Sequence, residues 1–186
     1  MSALVKNGAD PCARTEDGAT PLHISAAKGD VEACRLLLHH GAGGKRRTSS
    51  STTTTSSFRR DGEGKTALIV ASIHGHAEVV RFLLSEAGAQ IQDTDFRTAQ
   101  DFERGKFSSA GGNALHHAAE HGRLAVMKVL LEHCERHGIL EQMVDAPTQT
   151  GRSITPLCVF LINLALSVVA SGPNLIVCCS ATVWTA

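Results

Sequence analysis

Apolar positions recur with a helical period in several short stretches of this chain. One stripe falls at positions i, i+3, i+6 and i+7 of a predicted helix: Val31, Cys34, Leu37 and Leu38. A shorter apolar segment, 22–26, precedes it, and Thr20 and Pro21 supply a capping hydroxyl and a proline suited to a first helical turn. Gly29 stands between the two segments, where a left-handed turn would end the first helix. The pattern predicts two short helices joined by a tight turn.

The same arrangement occurs three times. The copies open with T-P-L-H-I-S-A at 20–26, T-A-L-I-V-A-S at 66–72 and N-A-L-H-H-A-A at 113–119. Each opening leads to a glycine and then to a second apolar helix pattern. A half copy precedes them, and a further opening ends in Thr155-Pro156-Leu157. Because one such helix pair cannot bury its own apolar face, the copies are expected to stack.

These copies resemble the ankyrin family, whose T-P-L-H signature is reproduced at 20–23. The resemblance implies an all-α fold, an ankyrin-repeat solenoid of helix-turn-helix units with inserted finger loops. It also implies that His23 and His116 occupy a position where histidine bonds the capping hydroxyl. Thr20 offers that hydroxyl to His23, whereas Asn113 replaces the threonine before His116, so the bond is expected at His23 only.

The copies are spaced more widely than the family period of about 33 residues. From Thr20 to Thr66 is 46 residues, from Thr66 to Asn113 is 47, and from Asn113 to Thr155 is 42. The surplus lies between each second helix and the next opening, where the family places its projecting finger. We therefore predict ankyrin repeats over 1–157 (half copy 3–15; repeats about 16–42, 62–95 and 111–145; partial opening 151–157), with insertions about 43–60, 96–110 and 136–150, and an uncharged apolar tail over 158–186.

The inserted fingers carry the candidate partner contacts. Residues 49–57 are all Ser or Thr and are flanked by arginines, while the second insertion places phenylalanines among basic residues. The predicted contact residues are Arg46, Arg47, Phe58, Arg59, Arg60, Phe96, Arg97, Phe102 and Phe107. Alternatively, the phenylalanines of the second insertion pack back onto the stack.

Arg46-Arg47-Thr48-Ser49 resembles a site for a basophilic kinase, with Ser49 as the acceptor. A phosphate would make this basic loop locally acidic and could attract or repel a partner. The alternative interpretation is a solvated charge run beside a polar tract.

The sequence predicts no catalytic, cofactor-binding or metal-binding residues, and hence not an enzyme. Ten histidines raise the question of a metal, but most fit structural positions of the repeat or helix C-termini. Cys134 and His137 have a ligand-like spacing, yet one pair cannot form a four-ligand zinc site. No nucleophile motif, glycine-rich phosphate loop or kinase-type signature occurs in the sequence.

The charge balance and the cysteine pattern bear on the class of partner and on the cellular location. Lys plus Arg equals Asp plus Glu at 18 each, which gives no reason to expect nucleic-acid binding. The six cysteines show no C-x-x-C pair or disulfide framework, which favours reduced thiols in the cytoplasm, with the nucleus as an alternative. Membrane association is expected, if at all, only through the tail 157–186.

That tail departs from the repeat. No charged residue follows Arg152, and bulky Phe160, Leu161 and Leu164 stand where the family has small residues and glycine. An end unrelated to the repeats, a membrane segment and an apolar cap all remain open, and the first is our expectation. The apolar run 157–170 is 14 residues, shorter than the roughly 20 needed to span a bilayer.

The function expected from these observations is a protein–protein interaction scaffold or adaptor whose partner is another protein. Two alternatives stay open. The chain could be a regulatory ankyrin fragment of a larger membrane protein, such as a channel or acyltransferase. It could also be the targeting module of a multi-domain enzyme.

Overall fold

The computed structural model describes residues 8–42, 59–95 and 111–144. Within these ranges the regular structure is helical, apart from one antiparallel bridge between Thr94 and Asn113. In chain order the helices are α1 Pro21–Lys28, α2 Val31–His39, α3 Ala67–His74, α4 Ala77–Ser85, α5 Ala114–Glu120, α6 Leu124–His137 and α7 Leu140–Val144. The predicted all-α class is confirmed.

Both helices of the first pair begin at residues that are suited to helix capping. Thr20 lies in extended backbone immediately before α1, with Pro21 as its first residue. Gly29 ends α1 with φ at 75°, a left-handed conformation that residues with a Cβ avoid. Asp30 then starts α2, where its carboxylate accepts a hydrogen bond from the Ala33 N–H at 2.9 Å. Two short helices are thus joined by a turn of two residues.

The three helix pairs stack in register. The first helices pack on one another in the order α1, α3, α5, and the second helices pack in the order α2, α4, α6. The core between the two layers contains fully buried aliphatic residues from every pair, among them Leu37, Ile69, Leu83, Leu115 and Leu130. Each such side chain contributes about 1.5–3 kcal/mol through burial. Stacking therefore supplies the apolar contacts that no single helix pair could make.

The last pair differs from the others at its end. Helix α6 has 14 residues, whereas α2 and α4 have 9 each, and Gly138 ends it in the left-handed conformation. The short helix α7 then packs on α6, and Met143 is only 2% exposed. Within the segment predicted as an insertion at 136–150, α6 continues to His137 and α7 covers Leu140–Val144, and buried Met143 ties α7 to the core.

Backbone hydrogen bonds hold the bases of the fingers. The Gly62 N–H donates to the Asp17 carbonyl at 2.8 Å and joins two neighbouring fingers. The Asp95 N–H donates to the Gly112 carbonyl at 3.1 Å and closes the base of the second inserted finger. None of the helices in the described ranges is long and apolar enough to cross a bilayer. The predicted tail at 158–186 and the half copy up to residue 7 lie outside those ranges.

Candidate partner-binding surface

His23 fixes the start of the first repeat to the finger of the second. Its Nδ1 lies 2.9 Å from the Thr20 hydroxyl and accepts a hydrogen bond from the Thr20 N–H at 3.2 Å. Its Nε2 lies 3.0 Å from the Lys65 carbonyl. A neutral ring with its proton on Nε2 satisfies all three contacts, since Nδ1 then accepts twice and Nε2 donates. Burial lowers the pKa of His23, and the Lys65 carbonyl acts in the opposite direction.

The expectation that His116 lacks an equivalent bond is wrong. The Asn113 Oδ1 accepts hydrogen bonds from the N–H groups of Leu115 (3.0 Å) and His116 (3.1 Å) and also lies 2.7 Å from His116 Nδ1. The amide oxygen thus occupies the place of the threonine hydroxyl, because asparagine is also a good helix cap. The Asn113 N–H also donates a hydrogen bond to His116 Nδ1 at 3.3 Å, the counterpart of the bond from the Thr20 N–H to His23 Nδ1.

A second set of contacts joins successive repeats at the turns between their helices. His76 Nε2 lies 2.9 Å from the Ala27 carbonyl, two residues before Gly29. Arg123 Nε donates to the Ile73 carbonyl at 2.9 Å, two residues before Gly75. Arg123 therefore occupies in the third repeat the position that His76 occupies in the second. These side chains align α1, α3 and α5, which are called the inner helices below.

Equivalent residues of α1, α3 and α5 form three rows across the inner helices. Each row contains the residues at one distance after the helix cap. The row at four residues contains Ile24, Val70 and His117; the row at seven contains Ala27, Ile73 and Glu120; the row at eight contains Lys28, His74 and His121. Ile24 is 41% exposed, whereas His117 in the same row is 2% exposed. The surface formed by these rows is consequently apolar and solvent-exposed at α1 and polar at α5. Burial, followed by the charges of His76, Arg123 and His121, lowers the pKa of His74.

Only two of the predicted contact residues fall within the described chain. Arg59 is exposed at the base of a finger. Arg60 is half-buried and bonds its own chain, through an ion pair with Asp93 at 3.0 Å and hydrogen bonds to the carbonyls of Gly64 (3.0 Å) and Thr94. Burial raises the pKa of Asp93, and Arg60 opposes that effect. Arg60 thus links two fingers, and its contact with a partner stays a prediction.

The remaining candidates lie outside the described residues. They are Arg46, Arg47, Ser49, Phe58, Phe96, Arg97, Phe102 and Phe107. Their roles in partner contact, and phosphorylation at Ser49, stay predictions.

Asp95 and His117 form a pair that the sequence pattern did not predict. Asp95 is fully buried, and its Oδ2 lies 3.3 Å from His117 Nε2. This is an ion-pair distance, but its geometry is not that of a hydrogen bond, and no other described group bonds these atoms. A histidine in place of the Ile24 and Val70 of the other repeats was the available signal.

The described cysteines are free thiols and do not form a site. Cys34 and Cys134 are buried in the core, and Cys12 is partly buried. Burial, with a smaller effect of Glu135, raises the pKa of the Cys134 thiol to about 11. This thiol is therefore protonated at neutral pH.

Comparison with known families agrees with this geometry. The family described as "Ankyrin repeats (3 copies)" matches residues 1–95, and that described as "Ankyrin repeat" matches residues 110–137. The first match alone covers half of the chain. This chain belongs to the ankyrin-repeat family.

Two curated relatives are similar over part of their length. The chain is 33% identical over 89 residues to "Protein fem-1 homolog A-like" of Mus musculus, covering 48% of this chain and 12% of that protein. It is 32% identical over 88 residues to "Protein fem-1 homolog A" of Homo sapiens, covering 47% of this chain and 11% of that protein. The similarity therefore concerns a small part of much longer proteins.

Proposed function

We propose that this protein is a binding module that holds another protein on the inner surface of its ankyrin stack, without catalysing a reaction. The observation that carries the proposal is the set of rows on α1, α3 and α5. Ile24 is 41% exposed on α1 and shares its row with half-buried Val70 of α3. An exposed apolar side chain amid polar neighbours is the kind of anchor that protein interfaces use.

The flanking residues support recognition of a polypeptide. Exposed Lys28 and His74 border the apolar end of the rows, and exposed Glu120 and His121 lie at the other end. A surface with apolar, basic and acidic positions spread over three helices suits an extended partner that contacts several repeats. The free thiols of the described chain agree with a cytoplasmic location for this interaction.

A pair of matched substitutions tests the proposal. Ile24 and Leu124 are both large, exposed and apolar, at 41% and 46% exposure, but Ile24 lies on inner helix α1 and Leu124 begins outer helix α6. We expect Ile24→Asp to weaken partner binding by more than about 1 kcal/mol. Leu124→Asp should leave binding unchanged, and neither change should alter stability by more than about 0.5 kcal/mol.

The measurement is quantitative affinity purification with the wild-type chain and both variants, followed by binding titration of any protein that the wild type enriches. Proteins retained by Leu124→Asp and lost by Ile24→Asp would support the inner surface as the binding site. Equal retention by Ile24→Asp and the wild type would refute it.

The fingers provide an independent test. If Phe96, Phe102 and Phe107 anchor the same partner, changing each to Ala should weaken binding by more than about 1 kcal/mol and leave the melting temperature unchanged. If they pack on the stack, the same changes should lower the melting temperature, and binding should follow stability only.

A further inference from the structure

The last turn of α5 brings three metal-ligand side chains together. His117, Glu120 and His121 are spaced i, i+3 and i+4, which places them on one side of the helix. One ligand atom of each residue lies within 4.8 Å of those of the other two. The spacing of a carboxylate and imidazoles on a single turn is one that helical metal sites use.

Behind this cluster lies the buried carboxylate of Asp95. It is fully buried and faces His117 Nε2 at 3.3 Å, while His117 Nδ1 faces Glu120 Oε2 at 3.9 Å. Burying a carboxylate without hydrogen bonds is costly, and within the described chain neither Asp95 oxygen has one. A carboxylate behind an imidazole is the usual outer partner of a metal-binding histidine, because it fixes the ring and its tautomer.

The other two side chains lie at the C-terminal end of α5. Glu120 and His121 are exposed, and His121 Nδ1 lies 3.0 Å from the His117 carbonyl, which leaves Nε2 for a ligand. Ligand atoms about 2.0–2.2 Å from one ion are roughly 3.3 Å apart, so modest side-chain rotation would close the site. The helix C-terminus also favours a positive charge at this position.

We propose that His117, Glu120 and His121 bind a divalent metal ion of the Zn²⁺ type, with Asp95 as the outer partner that orients His117. Two imidazole nitrogens and one carboxylate oxygen form a three-ligand set that suits zinc and leaves one position open. The bound ion would connect the base of the second inserted finger, through Asp95, to the inner surface at α5. This metal site does not depend on the proposed protein binding.

The test uses the full chain, freed of metal with a chelator, and Zn²⁺ alone as the probe. We expect calorimetric titration to show that the wild-type chain binds one equivalent of Zn²⁺ tightly. Glu120→Gln and His121→Gln should each remove that equivalent without unfolding the protein, because both side chains are exposed. Asp95→Asn should weaken binding by about 10- to 100-fold while the ligand set stays intact.

A second histidine pair serves as the control. Half-buried His133 and exposed His137 lie on α6 with ring centroids 4.3 Å apart and could bind zinc weakly as a pair. The double change His133→Gln and His137→Gln should leave the tight equivalent in place. Loss of that equivalent in the double variant, or its retention in His121→Gln, would overturn the proposal, as would the absence of tight binding in the wild type.

Cobalt supplies an independent readout that does not depend on stability. Co²⁺ bound by these ligands should give visible absorption that shifts or disappears in His121→Gln and persists in the His133 and His137 double variant. An unchanged spectrum in His121→Gln would contradict the assignment.

Discussion

Gly29 lies directly against the imidazole of His76 in the following repeat. A Cβ on Gly29 would come within 2.6 Å of His76 Nδ1, closer than side chains approach one another. Gly29 therefore has two reasons to be glycine: its φ of 75° and the ring packed over it. The contact also places His76 Nε2 at 2.9 Å from the Ala27 carbonyl, so one residue sets both the turn and the stacking of the next repeat.

This relationship predicts the effect of Gly29→Ala. The left-handed backbone alone costs a residue with a Cβ about 1–2 kcal/mol, and the clash with His76 adds to that cost. Gly122→Ala is a matched control, because Gly122 ends the same turn in the third repeat with φ at 63° and no described atom would meet its Cβ within 4 Å. Urea unfolding should show a larger loss for Gly29→Ala, and equal losses would contradict the role of the contact.

The cap at Asn113 makes a second prediction. Asn113→Ala removes the acceptor of the Leu115 and His116 N–H groups and should lower the free energy of unfolding by about 1 kcal/mol. Asn113→Thr restores the signature pair found at Thr20 and should cost much less. The comparison is made by denaturant unfolding monitored by circular dichroism. A loss in the threonine variant as large as that in the alanine variant would exclude the capping role.

The third prediction concerns pH. Because burial lowers the pKa of His23 below its usual value of 6.5, the unfolded chain binds a proton more readily than the folded one. Stability should therefore be retained above about pH 6.5 and lost as the pH falls toward the folded-state pKa. His74 and His133, whose pKa values burial also lowers, contribute in the same direction. The melting temperature measured across this range should fall on acidification.

The contribution of His23 itself can be isolated. His23→Gln should reduce the slope of stability against pH without abolishing it, since the other two histidines remain. The control is His39→Gln, which replaces an exposed histidine, and the slope is compared among the three proteins. An identical slope in the wild type and His23→Gln would assign the pH dependence to other groups.

A fourth prediction follows from composition alone. Residues 49–57 are Ser and Thr only, so this stretch offers no apolar area to bury. Deleting residues 45–57 should leave the stack folded and change stability by about 1 kcal/mol or less, because loop closure depends weakly on loop length. Thermal unfolding that loses its cooperativity after the deletion would show that the segment packs on the repeats.

The helices and their pairing follow from local features of the sequence. Thr20, Pro21 and Gly29 act within a few residues of their own helix, and so caps, turns and the apolar stripes of α1 and α2 could be predicted from local spacing. Repetition of the unit then required stacking, since each pair leaves an apolar face exposed. The signature at 20–23 also indicated the ankyrin family.

Contacts between residues of different repeats could be identified only in the folded protein. His76 and the Ala27 carbonyl are 49 residues apart, and Asp95 meets His117 across an insertion that local pattern does not constrain. The signature did not predict that Asn113 Oδ1 reaches His116, because asparagine stands where the family has threonine. Both residues cap helix N-termini although their side chains differ. The contacts of His76 and of Asp95, in contrast, depend on the register of packed repeats, and register is fixed by the sum of many buried side chains rather than by any one segment.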